Sequence, residues 1–214
     1  MRKVFMILSS LALSLSLLTV GHAQALFQEG TDYKRLANPQ PPITENGKVE
    51  VVEAFSYHCP HCYRFEPAIQ AWAAQQPEHV ELIHLPVVFR ADWEPGARAY
   101  YIAETLGILD QTHEAFFRAL HDQGRTFRSE DQLAAFFADF GVARETFDKV
   151  NESFELDTKL RRAQELARRY RVMGVPMVIV NGKYEVTGSM AGSLERMLAI
   201  IDFLIAQEAA TTTG

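Results

Sequence analysis

The stretch Glu53-Ala-Phe-Ser-Tyr-His-Cys59-Pro-His-Cys62-Tyr-Arg-Phe-Glu66 decides the fold. On its upstream side, Val49 to Phe55 is rich in β-branched residues and reads as a buried strand. On its downstream side, Phe65, Ile69, Trp72 and Ala73 share one helical face, and Gln75-Gln76-Pro77 stops that helix. Val80 to Phe89, interrupted by Pro86, reads as a second strand. Strand, helix and strand in this order make a parallel βαβ unit. The two cysteines fall where its first strand gives way to the helix.

Cys59 and Cys62 are the only cysteines in the chain. A ring this small removes little entropy from an unfolded chain, so chemistry is a better reason for the pair than stapling. At the start of a helix, Cys59 lies beside unpaired N–H groups and the positive end of the helix dipole, both of which favour thiolate. Pro60 suits the first helical position because its missing N–H would have had no partner. His61, between the sulfurs, can add positive charge or a donor; the alternative is a plain solvent-exposed helix residue. Cys62, one turn on, is placed to attack a mixed disulfide on Cys59. Thiols in such settings have pKa values of roughly 3.5 to 7.5, against about 8.5 when free. At pH 7 a pKa near 3.5 stabilises the reduced form by about 5 kcal/mol, or roughly 100 mV in a two-electron couple. A pKa near 7.5 is worth only about 0.2 kcal/mol.

Other readings of the motif fail on chemistry. Structural zinc wants four ligands, and His58, Cys59, His61 and Cys62 cannot converge from one turn. Haem attachment needs a histidine after the second cysteine, where Tyr63 stands. A cysteine-protease nucleophile needs a base and an orienting group, not a second cysteine.

Further out, residues 91–170 are helical almost throughout. Leu133, Phe136, Phe137 and Phe140 form an apolar stripe, preceded by a capping box of Ser129 with Gln132. Leu156, Leu160, Ala163, Ala167 and Tyr170 form another. His113 and His121 read as surface or satisfied histidines, not ligands. Strand character returns at Met177 to Val180, then Asn181-Gly182 signals a two-residue hairpin turn leading into Tyr184 to Thr187. A last helix is predicted from about Ala191 to Gln207. Residues 26–48, with Pro39, Pro41 and Pro42, read as an arm or edge segment entering the domain.

Residues 1–25 read as a cleaved export signal: Arg2 and Lys3, an apolar run interrupted by Ser9, Ser10, Ser14 and Ser16, then Ala23-Gln24-Ala25. Without those two cations, 19 basic side chains face 27 acidic ones, a net charge of −8. That balance argues against nucleic acid as a partner.

The quoted motif, together with Gly174-Val175-Pro176 and Val180-Asn-Gly-Lys-Tyr184, resembles the DsbA family of periplasmic thiol:disulfide interchange proteins. The resemblance runs from about Val49 to the last helix. It implies an α/β, thioredoxin-like fold, with a core of about 47–90 and 171–208 inside a domain of 26–214, and a helical insertion at about 91–170. It also implies roles: Cys59 the nucleophile, Cys62 the buried resolving partner, and Pro176 a cis-proline facing the disulfide. Val175 would present backbone groups to the substrate chain, and Glu53 would be the buried acid that helps to move the proton of Cys62. Plainer readings of two of these are a trans edge-strand proline and a glutamate that reaches the sheet edge or pairs with a lysine. The run Ser56-Tyr57-His58 departs from the more aromatic one expected in the family, which bears on substrate preference.

The expectation is an exported, periplasmic dithiol oxidase that passes its disulfide to unfolded proteins with free thiols. It would be monomeric, need no cofactor or metal, and be reoxidised by a membrane quinone reductase of the DsbB type. An isomerase or reductase would share the chemistry, but usually needs a dimerisation domain for which the chain has little spare length. A redox-inert binding module would have no use for both cysteines.

Overall fold

A computed structural model of the chain describes residues 26–44 and 46–212. The candidate signal, residues 1–25, lies outside the described residues. Among those described, no helix is long and apolar enough to cross a membrane.

Five strands of the described residues form one sheet: β1 (Lys34–Arg35), β2 (Val49–Phe55), β3 (Val80–Pro86), β4 (Met177–Val180) and β5 (Tyr184–Thr187). Their spatial order is β1-β5-β4-β2-β3. β2 runs parallel to β3, as the βαβ reading requires, with Val52 opposite Ile83. On its other side β2 pairs antiparallel with β4, Val52 opposite Ile179. The connection between β2 and β3 is helix α1 (Pro60–Ala73). Between β3 and β4 come a short 3-10 turn at Ala91–Trp93 and helices α2 (Glu94–Leu106), α3 (Leu109–His121), α4 (Glu130–Ala138), α5 (Arg144–Asn151) and α6 (Phe154–Arg169). Helices α7 (Gly188–Ala191) and α8 (Leu194–Thr212) close the chain. This is a thioredoxin-like α/β fold with inserted helices.

The apolar side chains sort into two cores. Val52, Ala54 and Ile179 pack with Phe116, Phe117, Phe136 and Phe147 of the inserted helices. Val51, Val178 and Val180 pack with Phe65, Ile69 and Trp72 of α1 and with Ile200, Ile201 and Leu204 of α8. Helix α1 straddles the two: Cys62 joins the first cluster, while Phe65 and Ile69 join the second. The helix carrying the cysteines is therefore gripped on two flanks.

Local structure refines the sequence reading at several points. The second strand ends at Pro86 and not Phe89, because proline has no N–H to extend the ladder. Its neighbour Val87 still donates one bond to the Phe55 carbonyl (2.8 Å). The hairpin has a three-residue loop, since Val180 pairs with Tyr184. Asn181 (φ 49°) and Gly182 (φ 64°) take the left-handed conformations that the Asn-Gly signal predicts, and Lys183 is the extra residue. The arm supplies an edge strand, β1, which pairs with β5. Helix α4 is capped by the Ser129 hydroxyl, but the Gln132 side chain reaches the N–H of Arg128, one residue before the expected partner (2.7 Å). Phe140 lies beyond the end of that helix.

Candidate active site

β2 ends at Phe55, and Ser56 shapes the turn that follows. Its carbonyl accepts from the N–H of Cys59 (3.0 Å) and its hydroxyl accepts from the N–H of His58 (3.2 Å). Cys59 is the N-cap of α1, with extended backbone (φ −91°, ψ 117°) and Pro60 as the first helical residue. The two histidines on α3 brace this turn from behind. The Tyr57 hydroxyl and His113 Nδ1 share a 2.6 Å hydrogen bond, and His121 Nε2 donates to the Tyr57 carbonyl (2.8 Å). His121 also stacks on Tyr63, with ring centroids 4.9 Å apart. His121 is thus satisfied, as the sequence suggests, whereas His113 is buried and its Nε2 has no hydrogen-bond partner. His58 stacks against Trp93, and Gly96 leaves room for its ring.

The two cysteines are free thiols in unlike surroundings. Cys59 retains slight exposure (6%), whereas Cys62 has none. Hydrogen bonding from the Cys62 thiol lowers the pKa of Cys59 to about 6, helped by the N–H groups of Cys62 and His61, against burial. Burial pushes Cys62 well above its ordinary value, with the Cys59 hydrogen bond and the Glu53 charge acting the same way. His61 is exposed, and its Nδ1 accepts from the guanidinium of Arg64 (2.7 Å).

Glu53 lies in the middle of β2 with no exposure, and neither carboxylate oxygen has a hydrogen-bond partner. Burial, the Glu66 charge and the Cys59 charge raise its pKa well above the usual carboxylate range, so the neutral acid is favoured. Its neighbour is His84 on β3, at 3.4 Å, in place of the lysine or sheet edge of the plainer sequence reading. Burial in turn lowers His84 to about 4.

On the open side of the motif, the Cys59 thiol donates to the Val175 carbonyl (3.3 Å), and the Val175–Pro176 peptide is cis. A groove of about 740 Å³ runs from His61 past Val175 and Pro176 to Met190 and Leu194. The exposed Met173 (90%) stands on its wall. All seven residues singled out from the sequence gather here: Cys59 capping α1, Pro60, His61 and Cys62 in its first turn, Glu53 beneath, Val175 and Pro176 opposite.

The sequence reading gave no role to Glu66, His84 or Tyr57. A signal existed for two of them. His84 interrupts an otherwise apolar strand, and Glu66 follows Phe65 on a helix face that turns out to be buried.

The profile of the DSBA-like thioredoxin domain family matches residues 50–198. The chain is 38% identical over 167 residues to a thiol:disulfide interchange protein of Azotobacter vinelandii, covering 78% of each chain. It is 36% identical over 184 residues to its counterpart in Pseudomonas aeruginosa, covering 86% of this chain and 87% of that one. Its fold matches the crystal structure of the oxidoreductase from Xylella fastidiosa with a TM-score of 0.81 at 37% identity, covering 86% and 99% of the two chains. It matches the P. aeruginosa crystal structure with a TM-score of 0.83 at 36% identity, covering 88% and 97%.

Proposed function

From the premise that this chain belongs to the DsbA family and is a thiol–disulfide oxidoreductase, we propose that it is an exported dithiol oxidase of the periplasm that introduces disulfides into folding proteins. The client's first thiolate attacks Cys59 Sγ and breaks its bond to Cys62. A mixed disulfide forms, and Cys62 leaves to become a thiol. The client's second thiolate then attacks its own half of the mixed disulfide, and Cys59 departs as a thiolate. Two electrons pass from client to protein, leaving it reduced.

The opposed settings of the two sulfurs carry this reading. A Cys59 pKa of about 6 makes it the better leaving group and the sulfur held as thiolate at neutral pH. A buried Cys62 with a raised pKa must take a proton as it leaves. Glu53, buried and favoured in its neutral form, is suited to supply it. His61 contributes its backbone N–H at the helix start. Val175 and Pro176 form the wall along which the client backbone lies, with the methionine-lined groove beyond it to take apolar side chains.

Residues 1–25 act as the export signal in this scheme, the chain works as a monomer without a cofactor, and a membrane quinone reductase of the DsbB type reoxidises it. The test is to mix oxidised protein with a reduced, unfolded client and count the client's remaining thiols by alkylation. Loss of two client thiols per protein molecule is expected, with none lost to Cys59→Ser. A client that keeps its thiols while the protein stays oxidised would overturn the proposal.

A further inference from the structure

The disulfide chemistry makes no use of the cavity on the far side of α1 from the groove. It has a volume of about 380 Å³ and lies one helical turn below Cys62, lined by Glu66, Gln70, His84, Leu109, Asp110 and His113. Glu66 comes from α1, His84 from β3 and His113 from α3, yet one ligand atom of each lies within 4.8 Å of the other two. A tetrahedral zinc ion holds nitrogen and oxygen ligands at about 2.0–2.1 Å, which sets them roughly 3.3 Å from one another. His113 Nε2 and Glu66 Oε1 are already 3.1 Å apart. Only shifts on the order of an ångström are needed to bring in His84.

Two further observations favour a cation at this point. Glu66 Oε2 and His113 Nε2 are buried and have no hydrogen-bond partner, the 3.1 Å approach of His113 to Glu66 being poorly aligned for one. And the amide nitrogen of Gln70 donates to Glu66 Oε1 (2.8 Å) while contacting His84 Nε2 (3.2 Å), so it sits between two candidate ligands as a cation would. Gln70 is exposed and neutral, and can swing out. His113 has the support a metal-bound imidazole usually has: its other nitrogen, Nδ1, bonds an oxygen, the Tyr57 hydroxyl.

We propose that Glu66, His84 and His113 form a binding site for a divalent transition-metal ion of the zinc class, separate from the cysteine pair, with a fourth position open to the cavity. Two imidazoles and one carboxylate are a donor set that suits zinc and its neighbours and is too nitrogen-rich for calcium or magnesium. Asp110 and Glu114 on the cavity wall add negative charge along the approach. This departs from the expectation that the protein needs no metal, and it does not depend on the oxidase reading.

The test uses the oxidised protein, in which the disulfide removes both thiolates as ligands. After chelator treatment and removal of the chelator, it is titrated with Co2+ and then Zn2+. Expected are one equivalent of Co2+ with the visible absorbance of a four- or five-coordinate site, no sulfur charge-transfer band, and displacement by Zn2+ with a rise in melting temperature. His84→Gln and Glu66→Gln should each abolish the absorbance and the rise. Gln70→Ala, an exposed change that removes the competing amide, should bind at least as tightly as the parent. The proposal is overturned if folded oxidised protein takes up no Co2+, if uptake survives both ligand changes, if Gln70→Ala loses it, or if binding needs the reduced cysteines. In those cases the cluster is an internal network of histidines and carboxylates.

Discussion

At Cys59 the environment moves the thiol from 9.0 to about 6. At pH 7 that shift stabilises the reduced protein by about 1.4 kcal/mol, or ~30 mV toward the oxidant side. It falls inside the range expected from the motif, but well short of the upper value of 5 kcal/mol, because burial opposes the hydrogen bonds. Thiolate absorbance followed against pH should give an apparent pKa near 6, and a midpoint above about 7.5 would contradict the assignment. Glu53 makes a second test possible. Because burial favours its neutral form, Glu53→Gln replaces it with a group of like size and charge that cannot give up a proton. Dithiol oxidation near neutral pH should slow by about tenfold to a hundredfold with the melting temperature little changed; an unaltered rate would make Glu53 a structural residue only. The cysteines, Pro60 and His61 were legible because their chemistry is local. The pairing of Glu53 with His84 was not, since parallel register places residues 31 positions apart side by side and nothing in either strand announces the other.

Elements were read well where one periodicity ruled and less well where a turn mediated between two. The strand and helix around the motif appear at nearly the predicted bounds, because apolar spacing and Pro77 specify them. The edge strand β1 is only two residues long and pairs with a hairpin from the far end of the chain, so no local pattern marks it. The same arm explains Gly182. Its carbonyl accepts from the Gln40 N–H (2.8 Å), and a Cβ at Gly182, besides demanding φ +64°, would collide with the Gln40 carbonyl oxygen. Gly182→Ala should therefore cost about 1–3 kcal/mol in urea unfolding. Susceptibility of residues 36–44 to proteolysis should rise with it, and an unchanged midpoint would show that the arm yields freely. Helix α6 offers a milder case. The Ser153 hydroxyl accepts from the N–H of Leu156 (3.1 Å), so Ser153→Ala should lower stability by about 1 kcal/mol while leaving the oxidation rate as it was.

For the molecule as a whole, the balance between reduced and oxidised forms should turn on pH. The reduced form gains nothing from Cys59 below about pH 6. It gains about 1.4 kcal/mol at pH 7 and about 2.7 kcal/mol at pH 8, since the folded pKa lies below the unfolded one. Against this, the disulfide withholds about 2 kcal/mol of chain entropy from the unfolded state by the loop-closure relation for four residues. The oxidised protein should melt higher at about pH 5 and the reduced one higher at about pH 8, crossing slightly above neutrality. Paired melts across that range check this, and an oxidised form that is the more stable throughout would mean that the folded thiolate is not stabilised. The sheet order has a consequence of another kind, for the time at which structure can form. Central strand β2 lies between β3 and β4, and its partner Ile179 follows Val52 by 127 residues. A ribosome or a secretion channel that releases the chain from its N-terminus delivers both cysteines, the helix that bears them and five further helices before that sheet can be closed. Until then the first 170 residues have no finished sheet to fold against. A chain of this topology stays threadable almost to its last segment, and commits to its shape only once the final hairpin has emerged.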